Sequence, residues 1–326
     1  MNCSHAYSRS NKYSPTASNN FLSTAAMQIF HSFAELSKVP CPIHWAMGFF
    51  DGVHEGHRRV IKSASTPGAW RGVITFMPHP LVLLRPSAAP ALLTPHPEYK
   101  AELFRKLNVD VLLVLPFTAE LAAMSPRNFI DTLCTSCQVS GISVGENWHF
   151  GKGGSGDADF LQAEAKRSGF TACINPMLTI DGDTVCSTRI RHLLSEGAIE
   201  EVNRLLGRPF NIVGTVEHGQ HLARQLGAPT ANISLPPSAA LPRAGVYAIQ
   251  SLIDGRTQRG IANIGLRPTI NEQIKVTRLE AHFPNWSGDL YGQQLNIELL
   301  RFIRPEIKFN SIDELRSRIQ QDIAKL

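Results

Sequence analysis

The chain has 326 residues, 43% of them hydrophobic and 18% charged, with a formal net charge of +5. That length is generous for one core and suits two domains of ordinary size in a globular protein. The positive charge is spread without a basic block, which suits anionic small molecules and argues against nucleic acid, and no apolar run approaches the ~20 residues that cross a bilayer.

Residues 1–26 are rich in Ser and Asn with few apolar anchors, and read as a disordered leader rather than a signal peptide. Met27 opens a more ordinary domain start, so translation is expected to begin there. The six cysteines, Cys3, Cys41, Cys134, Cys137, Cys173 and Cys186, then read as free thiols of a reducing cytosol, and a cytoplasmic protein is expected. Cys134 and Cys137 have C-x-x-C spacing, but no second pair accompanies them; they read as ordinary helix-end cysteines.

Ile43 to Met47 form an apolar run into Gly48-Phe-Phe-Asp-Gly-Val-His54-Glu-Gly56-His57. This is a strand, a tight turn and a helix N-terminus, the geometry that collects phosphate on free backbone N–H groups. His54 and His57 stand at i and i+3, on one side of the first turn. Gly56 removes a side chain where a ribose or base would press on the backbone. The competing readings are an incidental surface pair or two metal ligands, although no further ligand stands nearby at a suitable spacing.

Gly72 to Phe76 reads as the next strand and leads into Phe76-Met-Pro-His79-Pro80, a histidine held by two prolines. A helix is expected from Glu98 to Leu107, a buried strand from Val109 to Leu115, a helix opened by Ser125-Pro126 and running through Leu133, and a strand from Gly141 to Gly145. This alternation argues for a parallel sheet covered by helices, with ligands at the carboxyl ends of the strands. A glycine-rich loop containing Asn147, Trp148 and Phe150 follows. Cys186-Ser187-Thr188-Arg189-Ile-Arg191 reads as a helix start in which Ser187 caps and an arginine forks onto phosphate, or as a capped, solvated helix.

The texture changes after Gly207-Arg-Pro209. Strand-like runs follow at 211–216, 245–252, 260–264, 275–283 and 294–300, which suggests a small β-barrel or sandwich, and Ser311-Ile-Asp-Glu314 opens a final helix with a capping box. The domains are therefore expected at 27–206 and 207–326. Within Leu226-Gly227-Ala-Pro-Thr230-Ala-Asn232, Thr230 and Asn232 share one face of an extended segment and offer hard oxygens suited to Mg²⁺ beside phosphate. A plain Pro/Asn turn is the alternative. Glu280 lies in a largely apolar strand, either as a salt-bridged carboxylate or as a general base.

Together these segments resemble the bifunctional riboflavin kinase/FMN adenylyltransferases of bacteria, also called FAD synthetases, from about Met27 to the C-terminus. The resemblance rests on residues 48–57, Phe76 to Pro80, Val144 to Asn147 with Phe150-Gly151, and Ser187 to Arg191. In the second half it rests on Leu226 to Asn232, Gly245-Val-Tyr247, Ile264 to Thr269, Asp289 to Gly292 and Arg304 to Phe309. It implies an α/β, Rossmann-like nucleotidylyltransferase domain with a parallel sheet, then a small β-barrel kinase domain closed by a helix. The barrel would phosphorylate riboflavin to FMN, and the first domain would adenylylate FMN to FAD, releasing pyrophosphate.

By that resemblance, His54 and His57 are catalytic, and Gly48, Phe50, Asp51, Gly56, Ser187, Thr188 and Arg191 bind one ATP. Gly227, Thr230 and Asn232 bind the other with Mg²⁺, and Glu280 accepts the proton of the attacking hydroxyl. His79, Asn147, Phe150, Thr269 and Arg304 are assigned to flavin. The implied partners are riboflavin, FMN and ATP, with no nucleic acid or membrane, and a homo-oligomer is compatible. The chain departs from the family pattern at Met77, Cys186, Ala223 and Ala228. A second reading keeps the adenylyltransferase and makes the barrel a weak or lapsed kinase that binds flavin for regulation.

Overall fold

The computed structural model describes residues 26–217, 230–268 and 275–326. Residues 1–25 of the leader, Gly227, Thr269, Ala223 and Ala228 fall outside the described residues. The first half contains β1 (Gln28–Phe30), β2 (Ile43–Met47), α1 (Glu55–Ser63), β3 (Trp70–Met77), α2 (Pro80–Leu84), α3 (Pro97–Arg105) and β4 (Val111–Pro116). After these come α4 (Ala119–Ala123), α5 (Pro126–Ser136), β5 (Val139–Gly145), α6 (Ala158–Ser168) and β6 (Thr171–Asn175). The strands pair in parallel in the order β1-β4-β3-β2-β5-β6.

Alternation along each strand decides which layer covers it. Ala46, Val73 and Leu112 face α1 and α3, whereas Trp45, Ile74 and Leu113 face α5 and α6. Every residue of β2 is buried. From β2 the order runs to β3 on one side and to β5 and β6 on the other. The crevice beyond the carboxyl ends of β2 and β5 is therefore the switch point where open α/β sheets bind ligands.

A short hairpin of β7 (Thr179–Ile180) and β8 (Asp183–Thr184) precedes α7 (Ser187–Glu196) and α8 (Ile199–Leu206). Then follow β9 (Phe210–Glu217), β10 (Ala231–Ser234), β11 (Gly245–Ile253), β12 (Arg256–Pro268), β13 (Lys275–His282), β14 (Gln294–Arg304) and the helix α9 (Ile312–Ile323). The six strands close in the order β10-β13-β12-β11-β14-β9, so the second half is a barrel and not a sandwich. Phe210, Ile233, Tyr247, Leu279 and Ile297 point inward, which turns Asn232, Asn263 and Glu280 outward. Ile190, Leu194, Val202 and Leu205 of α7 and α8 belong to the same buried cluster as the barrel interior. Among the described residues no helix is long and apolar enough to cross a membrane.

Candidate active site

The turn between β2 and α1 is held in a conformation that side chains rarely adopt. Phe50 has φ +55° and Val53 φ +43°, with Gly52 at +82°. Left-handed backbone at a β-branched residue is strained, and such strain persists where surrounding contacts over-determine it. The contacts are present here. The buried Asp51 carboxylate accepts from the backbone N–H of Leu93 at 2.9 Å and of Thr94 at 3.1 Å, and Gly52 N–H donates to Thr94 Oγ1 at 3.2 Å.

α1 then begins with His54 as its N-cap, and His54 Nδ1 accepts from the His57 N–H at 3.2 Å. The two imidazoles stack with centroids 3.5 Å apart, and the Phe50 ring meets His57 edge-on at 5.3 Å. Burial pushes His54 down to about 4, outweighing the neighbouring Asp51 carboxylate. Burial, then His54 and Lys100, pushes His57 well below its ordinary value. Both rings are therefore neutral at pH 7, and each offers one N–H donor and one acceptor. His57 Nδ1 is sealed from solvent with no hydrogen-bond partner among the described residues.

These rings line a cavity of about 270 Å³ at the switch point, with Gly48 on one side and Asn147, Asn175 and Ser187 on the other. Gly56 matters here because a Cβ would lie 3.2 Å from the His54 ring. The N-terminus of α7 faces the same cavity, but its N-cap is Cys186, which makes no capping bond. Ser187, expected to cap, is the first helical residue and donates instead to the Asp51 carbonyl at 2.9 Å. Thr188 follows on the exposed side of that turn. The first N–H groups of α7 thus keep no side-chain cap, which suits an anion. Arg191 Nη2 donates to Asp51 Oδ2 at 2.7 Å, so Asp51 acts as the buried anchor that aims this guanidinium.

His79 caps α2, accepting from Leu81 N–H at 3.1 Å, and its ring meets Phe49 at 4.3 Å. Asn147 is exposed at the cavity mouth. Phe150, expected beside flavin, lies in the core behind Trp148; the two rings stack at 4.3 Å and Trp148 is the one that reaches the cavity. The sequence reading missed Lys100, whose Nζ donates to the Phe49 carbonyl and to Thr75 Oγ1 at 3.2 Å. A signal was present, since Lys100 stands at i with Leu103, Phe104 and Leu107 at i+3, i+4 and i+7, a lysine on an otherwise apolar face.

On the barrel, Thr230 immediately precedes β10, and Asn232 lies opposite Glu280 in the register of β10 and β13. Across the next pairing Glu280 lies opposite Asn263 of β12, whose Nδ2 donates to Glu306 at 3.1 Å. Glu280 is therefore flanked on both sides by carboxamides on the outer face. Asn232 is buried, and its amide nitrogen lies 3.4 Å from the Thr230 carbonyl. Arg304 does not join this group as an open cation. Its Nε and Nη2 each lie 2.8 Å from Asp322 Oδ2, a buried pair that fastens α9 to β14.

The two halves of the chain match two different family models. A family model described as FAD synthetase matches residues 37–189, and one described as riboflavin kinase matches residues 206–326. A Pseudomonas fluorescens protein described as a bifunctional riboflavin kinase/FMN adenylyltransferase is 38% identical, covering 85% of this chain and 90% of its own length. Proteins of the same description from Listeria monocytogenes and Escherichia coli K12 are 36% and 35% identical, covering 85% and 91% of this chain and 89% and 96% of their own. A solved structure described as a macrolide-efflux protein from Streptococcus pneumoniae superposes with a TM-score of 0.79 at 26% identity, covering 87% of this chain and 93% of that one. The chain belongs to the bifunctional riboflavin kinase/FMN adenylyltransferase family.

Proposed function

We propose that this chain makes FMN from riboflavin and ATP on the barrel, residues 207–326, and converts FMN to FAD at the cavity of residues 27–206. One observation carries the second step: the neutral His54/His57 pair, the Gly48 turn and the uncapped N-terminus of α7 converge on one cavity. In that step an oxygen of the FMN phosphate attacks the α-phosphorus of ATP, and the bond to the β-phosphate oxygen breaks to release pyrophosphate. The protein's task is positioning and stabilising charge, not covalent chemistry. N–H groups of neutral His54 and His57 aim at the α-phosphate. Ser187, Thr188 and Arg191 at the start of α7 hold the β- and γ-phosphates. His79, Asn147 and Trp148, with Phe150 stacked behind it in the core, border the flavin.

In the kinase step the terminal ribityl hydroxyl attacks the γ-phosphorus of ATP, Glu280 takes the hydroxyl proton and ADP leaves. Thr230 and Asn232 present hard oxygen donors beside that carboxylate, a donor set that fits Mg²⁺ arriving with ATP. Bound there, the ion neutralises phosphate charge. Gly227 and Thr269 are assigned to ATP and flavin by the family resemblance, whereas Arg304 serves by holding α9 against the barrel. The reading is of a cytoplasmic enzyme acting on small molecules, alone or as a homo-oligomer, with neither nucleic acid nor membrane as partner.

The test separates the two halves. Given riboflavin, ATP and Mg²⁺, His57→Ala accumulates FMN with FAD formation lowered by about 10²–10³-fold, the usual consequence of losing a transition-state donor. Glu280→Ala does the reverse, making FAD only from supplied FMN. FAD formation by His57→Ala at the wild-type rate refutes the assignment of the loop. A wild-type chain that makes FAD only when given FMN would favour the lapsed-kinase reading.

A further inference from the structure

Lys100 is a cation buried against oxygens that carry no charge. It lies on α3 behind the Gly48–Val53 turn and is 9% exposed. Its Nζ donates to the Phe49 carbonyl and to Thr75 Oγ1, and Thr75 Oγ1 itself donates to that same carbonyl at 2.9 Å. The ammonium also stands 4.2 Å from the centroid of the Phe49 ring, whose edge meets His79. Among the described residues no carboxylate forms an ion pair with it, because the nearby Asp51 is engaged with Arg191. Burying a cation without an anion costs stability, and an apolar side chain of similar length would pack there without that cost. Fold stability therefore gives no account of a lysine at this position.

The substrate does give one. Nucleotide triphosphate brings several negative charges to the wall that Lys100 backs, and the carbonyl it grips belongs to the residue between Gly48 and the strained Phe50. We propose that Lys100 is a positioning residue for adenylyl transfer, clamping the Phe49 carbonyl so that the turn keeps its left-handed form and placing one buried positive charge behind the nucleotide. The inference rests on the reading of this cavity as the adenylyl-transfer site. Burial lowers Lys100 to about 8 against the opposing pull of Asp51, so its charge is present at neutral pH and is withdrawn above pH 8. The charged and titratable groups that act on it or feel its charge are Asp51 on the turn, His57 on α1 and His79 at the start of α2.

The experiment uses the full chain with Lys100→Met and Lys100→Arg, following riboflavin-to-FMN and FMN-to-FAD conversion separately along with the melting temperature. Lys100→Met is expected to lower kcat/KM of FAD formation by about 10²-fold, leave the kinase rate unchanged, and melt at or above the wild-type temperature, because a buried charge has gone. Lys100→Arg should recover part of the loss. The wild-type rate of FAD formation should fall above pH 8, and that limb should be missing from Lys100→Met. FAD formation within twofold of wild type overturns the proposal, as does parallel loss of both activities with a lower melting temperature, which is what a merely structural lysine would give. The underlying reading fails separately: it falls if His57→Ala retains FAD formation, whatever Lys100→Met does.

Discussion

His44 and His54 are both buried, and burial is the larger cause holding each at about 4. His44 sits within the sheet with Nδ1 2.8 Å from Thr66 Oγ1 and Nε2 3.0 Å from Ser143 Oγ, partners that a neutral ring satisfies with one donor and one acceptor. In the unfolded chain both titrate near 6.5. Between those values the unfolded state binds more protons, so stability falls as pH drops from about 6.5 toward 4 and is level above that window. At pH 5 each histidine should cost about 2 kcal/mol relative to pH 7.5, read as a drop of several degrees in melting temperature. A melting temperature unchanged between those pH values would contradict the burial of both rings. At this scale the sequence was legible where the chemistry is contiguous, as in Gly48 to His57, because one strand–turn–helix carries all its parts. Thr75, Thr94 and Lys100 come to the same loop from a strand, a connection and a separate helix, and no local pattern links them.

α7 shows what a single element contributes by lacking something. The side chain of its N-cap Cys186 makes no capping hydrogen bond, and the start of the helix faces the cavity. Cys186→Asp would supply the missing cap and favourable charge at the helix dipole, worth about 1 kcal/mol. The same carboxylate would stand where triphosphate charge is read to bind. The variant is expected to melt higher while its KM for ATP in FAD formation rises about 10-fold and its kinase step stays unchanged. An unaltered KM would remove the uncapped N-terminus of α7 from the ATP site. Helix starts were readable because capping chemistry is local, and Ser311 indeed accepts from the Glu314 N–H at 3.2 Å. The exchange of roles between Cys186 and Ser187 was not readable, since it depends on the Asp51 carbonyl reached only in the folded molecule.

The change of fold class near residue 207 does not coincide with a break in packing. Leu92 pairs with the barrel, donating to the Ser238 carbonyl at 2.7 Å and accepting from Ala240 N–H at 2.8 Å, while the adjoining Leu93 and Thr94 hold Asp51. Arg208 donates from Nη2 to the Gly52 carbonyl at 2.9 Å. Asn203 of α8 donates to the Leu299 carbonyl at 2.9 Å and accepts from Phe210 N–H. α7 therefore has two obligations: its first turn faces the cavity lined by His54 and His57, and Ile190 and Leu194 further along complete the buried cluster of the barrel. A fragment of residues 207–326 would bare the surface that α7 and α8 cover, at about 1.5–3 kcal/mol for each large apolar side chain exposed. A fragment of residues 185–326 would keep it covered. The longer fragment is expected to unfold cooperatively and to retain kinase activity, while the shorter one melts many degrees lower or aggregates. The complementary residues 26–184 would lack Ser187, Thr188 and Arg191, and should make no FAD even when mixed with FMN and ATP. Equal melting temperatures for the two barrel fragments would show that α7 and α8 are packed against the barrel without stabilising it.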